Sequence, residues 1–292
     1  MTSGPGTLYV VATPIGNLED VSLRALRVLR EAALVAAEDT RRTRKLLSHH
    51  GIPARLVSVR EHNERVRAPV LVRRLLGGES IALVSDAGTP GLSDPGAALV
   101  RTAADAGVRV VPIPGPSAVL AALVASGLPA EPATFLGFLP TRGAERRRAL
   151  DALRNLPHTL VLFEAPHRLR ETLGDLLEAL GDRRIAVARE LTKVHEEVYR
   201  AALTEAVRHF SAHPPRGEFT LVIEGTGSGG TDPADTGAAA DAARALARET
   251  MVRAAAEGCS AHEAVRRAVE ASRLRRNEVY RLWLTLKREA RP

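Results

Sequence analysis

The chain has 292 residues, enough to bury a substantial core and to form more than one domain. Hydrophobic residues make up 45% and charged residues 26%, the balance of a soluble globular protein, and no apolar run approaches the roughly 18 residues of a membrane span. The formal charge of +7 suits a polyanionic partner, while the single cysteine, Cys259, excludes an internal disulfide framework and a cysteine-rich zinc site.

The opening MTSGPGT has neither the basic nor the apolar region of a signal peptide, so the expected compartment is the cytoplasm. Only Lys45, Lys193 and Lys287 are lysines; the basic residues are otherwise arginine, in a chain also rich in alanine. Position is therefore more informative than number. Residues 271–292 hold seven basic residues against two acidic ones, most of the net charge in the last 22 positions.

The first 113 residues alternate β-branched runs at 7–13, 33–39, 56–59, 80–86 and 108–114 with helically spaced segments at 21–32, 40–50, 64–76 and 94–106. Such alternation predicts an α/β domain on a parallel sheet over 1–114. A second block, 115–226, has strand-like runs at 133–140, 158–166, 184–191, 198–203 and 218–225, with helices expected at 143–154 and 168–180. Strands outnumber helices towards its end, so its sheet is expected to be mixed. Residues 227–238, overlapping the glycine- and aspartate-rich TGSGGTDPADTG of 226–237, read as a linker. Beyond it, 239–292 is wholly helical in pattern, with helices near 238–256, 261–271 and 278–290. Gly258 suits the end of the first, Ser260 with Glu263 the start of the second, and Asn277 the cap of the third. Val279, Leu282, Trp283 and Leu286 form an apolar stripe on that third helix.

The stretch SDAGTPGLSDPG, 85–96, follows a strand-like run and packs three glycines and two prolines into twelve residues. In parallel α/β sheets ligands bind at the carboxyl ends of strands, and glycines there let backbone approach a ligand closely. Asp86 stands at the strand end as a possible partner for an ammonium or hydroxyl. Asp94 followed by Pro95 reads as a helix cap and first helical residue, which explains only part of the stretch. PGPS, 114–117, occupies the next strand end, with Ser117 placed to cap the helix that stops at Gly127. A formal GxGxxG at Gly225, Gly227 and Gly230 fits the linker better than a dinucleotide site, because no helix opens within it. The polar clusters EDTRRT (38–43), REHNE (60–64), FEAPHR (163–168) and RELTK (189–193) lie at or near strand ends. The nine histidines show no metal-ligand spacing.

TPIGNLEDVSLRAL (13–26), AAEDTR (36–41), LVSDAGTPGLSDPG (83–96), PIPGPSA (112–118) and GFLP (137–140), continued by FEAPHR, RELTK and GEFTLVIEG, resemble the tetrapyrrole-methylase superfamily. Within it they are similar to the small-subunit ribosomal RNA methyltransferase I group, over about residues 7–225. TPIGN stands where superfamily members acting on porphyrins or corrins carry a GPGDP-like loop. The resemblance implies a two-domain class III methyltransferase fold with S-adenosylmethionine as methyl donor, no metal, a homodimer, and a helix-turn-helix-like RNA-binding module at the C-terminus. It implies 2′-O-methylation of a cytidine in 16S ribosomal RNA of the small subunit, cytidine 1402 by the group's convention. By position it implies cofactor contacts at Pro14, Ser85, Asp86, Ala87, Gly88, Thr89, Pro116, Ser117 and Ala118, and from the second domain at Phe163, Glu164, Arg189, Glu190 and Thr220. A ribose hydroxyl is weakly acidic, so a base or an alkoxide-stabilising cation would assist; Glu38, Asp39, Arg41, His62, Asn63 and Glu64 are the candidates, and the sequence does not choose among them. Arg273, Arg275 and Arg276, ahead of the last helix, are placed to meet RNA phosphates. Two other readings use the same features: a small-molecule methyltransferase on a tetrapyrrole-like substrate, and a non-enzymatic nucleic-acid-binding regulator.

Overall fold

The computed structural model describes residues 4–226 and 238–272, with Leu274, Val279, Tyr280, Leu282, Trp283, Thr285 and Leu286; side chains are described from Ala242 onward in the second stretch. The chain divides into two compact units, 1–227 and 228–292. The expected linker up to residue 237, the cap at Asn277 and the arginines Arg273, Arg275 and Arg276 lie outside the described residues, while Ala238, its last expected residue, belongs to a helix.

In the larger unit, β1 (Thr7–Val11), β2 (Leu34–Ala37), β3 (Leu56–Ser58), β4 (Ile81–Val84) and β5 (Arg109–Ile113) form one sheet in the order β3-β2-β4-β1-β5. Every neighbouring pair is parallel. The central β2 and β4 are buried throughout, as strands covered on both faces must be. One face packs on α3 (Glu64–Leu76) and α4 (Ala97–Asp105) through Leu71, Leu75, Leu99 and Ala103; the other meets α1 (Leu23–Glu31) and α2 (Thr40–His49) through Val28, Leu29 and Leu47.

The second sheet runs β6-β7-β10-β8-β9, from β6 (Ala133–Phe138), β7 (Thr159–Glu164), β8 (Arg184–Arg189), β9 (Glu197–Ala202) and β10 (Phe219–Ile223). Only β6 and β7 pair in parallel; the rest are antiparallel, giving a mixed sheet. Alternation sorts its residues between faces. Ile185, Val187, Leu221 and Ile223 pack on the side of α6 (Gly143–Asp151), α7 (Leu169–Leu180) and α8 (Leu203–Ala212). Ala186, Ala188, Val161 and Val222 face α5 (Ala118–Ser126) instead. Ser117 caps α5, accepting from the Leu120 N–H. Gly225 closes β10 against the carbonyls of Pro157 and His158, where a Cβ would lie 2.4 Å from each oxygen. It is a packing glycine; Gly227 and Gly230 of the same pattern fall outside the described residues.

The smaller unit has its own core. Helix α9 (Ala238–Ala256) and α10 (Ala261–Ser272) bury Ala247, Met251, Val265 and Ala268 together with Val279, against which Leu282, Trp283 and Leu286 pack. Ser260 caps α10 by accepting from the Glu263 N–H, at 3.3 Å.

Helix α4 departs from the sequence expectation. Asp94 and Pro95 do not open it: the helix begins at Ala97, and Gly96 occupies the cap position at φ +129°. A side chain there would also be crowded, since a Cβ would lie 2.9 Å from Leu83 Cδ2. The capping acceptor comes from another helix. Buried Glu64, first residue of α3, accepts through Oε1 from the N–H groups of Gly96 (3.0 Å), Ala98 (2.6 Å) and Leu99 (3.0 Å). Glu64→Ala is expected to lower unfolding free energy in urea by about 2–3 kcal/mol, because three amides lose a charged acceptor. Glu64→Gln, which keeps an acceptor oxygen, should recover part of that loss. A catalytic role would instead show as lost turnover at unchanged stability.

Candidate active site

The segment 85–96 is held at three points. Thr13 and Gly88 exchange two backbone hydrogen bonds, of 2.9 and 3.0 Å, tying the segment to the chain leaving β1. Asp86 Oδ1 accepts from the Asp39 N–H at 2.9 Å while Glu38 Oε2 accepts from the Asp86 N–H at 3.2 Å, a reciprocal lock between the ends of β2 and β4. Glu64 fixes the far end as described. Between these points Ser93 adopts φ +63°, unusual for a residue with a side chain.

Residues Ala87, Gly88, Thr89, Leu92, Ser93 and Asp94 form one wall of a cleft of about 380 Å³. Ser117, Ala118 and Val119 from the start of α5, and Phe163, Ala188, Phe219 and Thr220 from the second sheet, form the other side. The small side chains of Ala118 and Ala188 leave room there. A clasp closes one end. The Asn17 N–H donates to Thr192 Oγ1 at 3.0 Å, and Gly16 sits so close to the RELTK turn that a Cβ would meet Leu191 O at 3.0 Å and Lys193 Cγ at 2.5 Å. Ile15, Leu191 and Lys193, all in this clasp, line the cleft. Glycine in TPIGN is thus required by close approach of the two halves.

The lining is rich in carboxylates. Asp94, Glu164 and Glu218 face it against one cation, Lys193. Two of the three are engaged. Glu164 accepts from Thr172 Oγ1 (2.5 Å) and the Ala165 N–H (2.8 Å), and Glu218 accepts from Lys193 Nζ (2.8 Å). Asp94 differs: burial first, then the nearby Glu38 carboxylate, pushes its carboxyl up to about 6, with Asp86 adding to the rise and the Ser85 hydroxyl opposing it. Glu38 is raised as well, chiefly by burial, with Asp86 adding to it and Arg42 and Arg60 opposing.

Of the residues expected to contact a cofactor, Ala87, Gly88, Thr89, Ser117, Ala118, Phe163, Glu164 and Thr220 reach the cleft. Pro14, Ser85, Asp86, Pro116, Arg189 and Glu190 are not among its lining residues. Asp86 is taken by the Asp39 amide and by Arg42, 3.5 Å away. Buried Ser85 accepts the Thr13 hydroxyl through its carbonyl, at 3.3 Å. Pro14 is buried between Thr13 and Ile15, and Pro116 stands behind Gly88, its carbonyl 4.0 Å from where a Cβ would be. Arg189 donates to the Arg216 carbonyl at 2.8 Å, and Glu190 takes the Lys193 ammonium and the Glu218 N–H, both at 2.9 Å.

None of the candidate bases lines the cleft. Glu38 borders it through Asp94. Asp39 caps α2 and pairs with Arg41 at 2.6 Å, an ion pair that holds the Asp39 carboxyl far below the usual range. Asn63 Oδ1 accepts from the Arg60 N–H at 2.9 Å, and His62 is exposed. The sequence reading missed Asp94, assigned there to a cap, and also Leu92, Phe138, Lys193 and Glu218. All five stand inside the motifs GLSDPG, GFLP, RELTK and GEFTLVIEG. Among the described residues no three His, Cys, Asp or Glu side chains are grouped to hold a metal, and no helix is long and apolar enough to cross a membrane.

Residues 7–207 match the tetrapyrrole (corrin/porphyrin) methylases. The ribosomal RNA small subunit methyltransferase I of Halalkalibacterium halodurans is 52% identical over 222 residues, 76% of this chain and 77% of that protein. The protein of the same name from Synechocystis sp. is 44% identical over 282 residues, 96% of this chain and 98% of its own. Among solved structures, uroporphyrin-III C-methyltransferase from Thermus thermophilus complexed with S-adenyl homocysteine gives a TM-score of 0.54 at 22% identity, over 76% of this chain and 98% of that one, a likeness of fold. Two α/β halves with a cleft between them, and relatives matched along nearly the whole length, give the same answer: the chain belongs to the ribosomal RNA small subunit methyltransferase I family of the tetrapyrrole methylases.

Proposed function

We propose that this chain transfers the methyl group of S-adenosylmethionine to the 2′-oxygen of a cytidine ribose in 16S ribosomal RNA of the small subunit, at cytidine 1402. The observation that carries this reading is the cleft itself: about 380 Å³, walled by backbone of the 87–89 turn, lined by apolar side chains and by more carboxylates than cations. That donor set fits a ligand with a sulfonium, an ammonium, ribose hydroxyls and a flat purine. Ala87–Thr89 and Ser117–Ala118 would hold it by backbone, with Ile15, Val119 and Leu191 on its apolar parts. When bound, S-adenosylmethionine supplies a methyl group already activated by its sulfonium, so the protein's tasks are alignment, exclusion of water and management of one proton.

Asp94 is the carboxylate for that proton. It faces the cleft, and where Glu164 and Glu218 are held by Thr172 and Lys193, Asp94 meets the Ser85 hydroxyl and, among the described residues, no ion-pair partner. As the ribose oxygen gains the methyl carbon, its hydrogen passes to Asp94. Burial, and then the nearby Glu38 carboxylate, raise Asp94 and make it a stronger base than an ordinary aspartate. The helical unit, with its basic end, supplies affinity for RNA through Arg273, Arg275 and Arg276, and a homodimer acting in the cytoplasm belongs to the same reading.

Methyl transfer from labelled S-adenosylmethionine to small subunits from cells lacking this protein, followed by mass spectrometry of nucleosides, tests the assignment; a base-methylated product would overturn it. Turnover should rise with pH through about 6 and level off above, because Asp94 carries a proton below that value and accepts one above it. Asp94→Asn should remove this limb and lower turnover by about 10²–10⁴-fold. Gly16→Val should loosen the clasp and weaken calorimetric S-adenosylmethionine binding roughly tenfold, the scale of a 1–3 kcal/mol overpacking penalty. A chain ending at Gly227 retains the whole larger unit and should keep S-adenosylmethionine affinity while losing RNA affinity and turnover.

A further inference from the structure

The five phenylalanines of this aromatic-poor chain all lie in the second half of the larger unit, and Phe138 alone is exposed, at 53%. Its exposure is not slackness. The register between β6 and β7 shifts between Phe135 and Phe138, and Gly137 takes φ +65°. Immediately after it, Leu139 is buried, and Arg168 Nη2 donates to the carbonyls of Leu139 (2.8 Å) and Pro140 (3.2 Å). Behind it, Phe163 lies 5.6 Å from the Phe138 ring, and Phe135 lies 5.1 Å from Phe163. Backbone and ring are thus buttressed from both sides while the ring stays in solvent at the cleft wall.

Across from it stands a second exposed apolar side chain, Leu92, 47% exposed and also lining the cleft. The two halves touch between them: a Cβ on Gly137 would come within 2.9 Å of Ser93 Oγ, so Leu92–Ser93 and Gly137–Phe138 form one junction, with Asp94 the next residue along. Apolar surface on either side of a carboxylate at a cleft mouth calls for a flat, largely apolar moiety carrying a hydroxyl. On the reading of function given above, which this inference rests on, we propose that Leu92 and Phe138 form the seat for the acceptor nucleobase, the pyrimidine stacking on Phe138 while its ribose 2′-hydroxyl meets Asp94. A ribose within structured RNA is reached by splaying its nucleotide out of the stack, and an aromatic face replaces the stacking so lost. The adenine of the methyl donor is the competing occupant. Exposure favours the acceptor: of the donor's proposed holders only Ala87 is exposed, while Gly88, Thr89, Ser117 and Ala118 are half-buried or buried, whereas the large Phe138 ring stands at the solvent side.

The test uses full-length Phe138→Ala, Phe138→Leu and Phe138→Tyr, with melting temperature, calorimetric affinity for S-adenosylmethionine and kcat/KM for methylation of small subunits from cells lacking the protein. Phe138→Ala should melt as the parent, bind S-adenosylmethionine within about twofold, and lose roughly tenfold or more in kcat/KM, the range that base–aromatic stacking supplies. Phe138→Tyr should restore the rate and Phe138→Leu should not. An unchanged kcat/KM in Phe138→Ala overturns the seat, as does full activity in Phe138→Leu. A parallel loss of S-adenosylmethionine affinity assigns the ring to the donor and overturns it equally. If the parent chain itself leaves small subunits unmethylated, the reading of function fails, and the seat with it.

Discussion

One carboxylate oxygen, Glu64 Oε1, takes three backbone N–H groups at the start of α4, and the shape of the cleft wall follows from it. The first turn of a helix has amides with no intrahelical partner, and a buried carboxylate has lone pairs that water cannot reach. Each is costly alone and each satisfies the other, with the helix dipole favouring the negative charge as well. Because Glu64 opens α3 and α3 packs on the same sheet face as α4, the start of α4 cannot drift. The twelve residues before it then span a fixed distance from β4, and Ser93 and Asp94 are delivered to the cleft with Ser93 in a left-handed conformation that no local preference would select.

The carboxyl edge of the first sheet gathers Glu38, Asp86 and Asp94, and like charges at short range oppose one another. The structure offsets this unequally. Asp86 has an amide and the Arg42 guanidinium; Glu38 has an amide, with Arg42 and Arg60 nearby. Asp94 has only the Ser85 hydroxyl pulling its carboxyl down. The residue that faces the cleft is raised to about 6, by burial first and by Glu38 second. A carboxyl raised in this way inside a cleft is suited to exchanging a proton with a bound hydroxyl.

The strand–helix alternation, both sheets' strand positions and the loops at 85–96 and 114–117 were legible because glycine, proline and β-branched runs act through the local backbone. Eight residues carried over by motif line the cleft, and five of them, 87–89 and 117–118, sit in or directly after those two loops. Side-chain assignments fared differently. Asp86 and Asp94 are both aspartates at plausible distances from a strand end, and only the pairing of β2 beside β4 shows that Asp86 is spent on the Asp39 amide. Glu64 looked like a candidate base because its partner amides lie 32 to 35 positions away in the chain. Phe138 and Leu92 stand inside the motifs GFLP and GLSDPG, yet nothing there marks them as exposed cleft residues, since exposure of an apolar side chain is a property of the folded surface.

On the proposed function, the two compact units would divide the work of recognition along physical lines. Phosphate contacts made by arginines supply affinity that is strong, screened by salt and indifferent to sequence. Such contacts cannot decide which ribose is methylated. On the same reading that choice would fall to the larger unit, where a clasp at Gly16 and a cap at Glu64 tie down the cleft walls. A site that must bring one hydroxyl into line with one methyl group gains from rigidity in just those elements, because small misplacements are costly in rate. The smaller unit's core of alanines, Met251, Val265 and Val279, with a few larger apolar residues packed against it, holds its helices together.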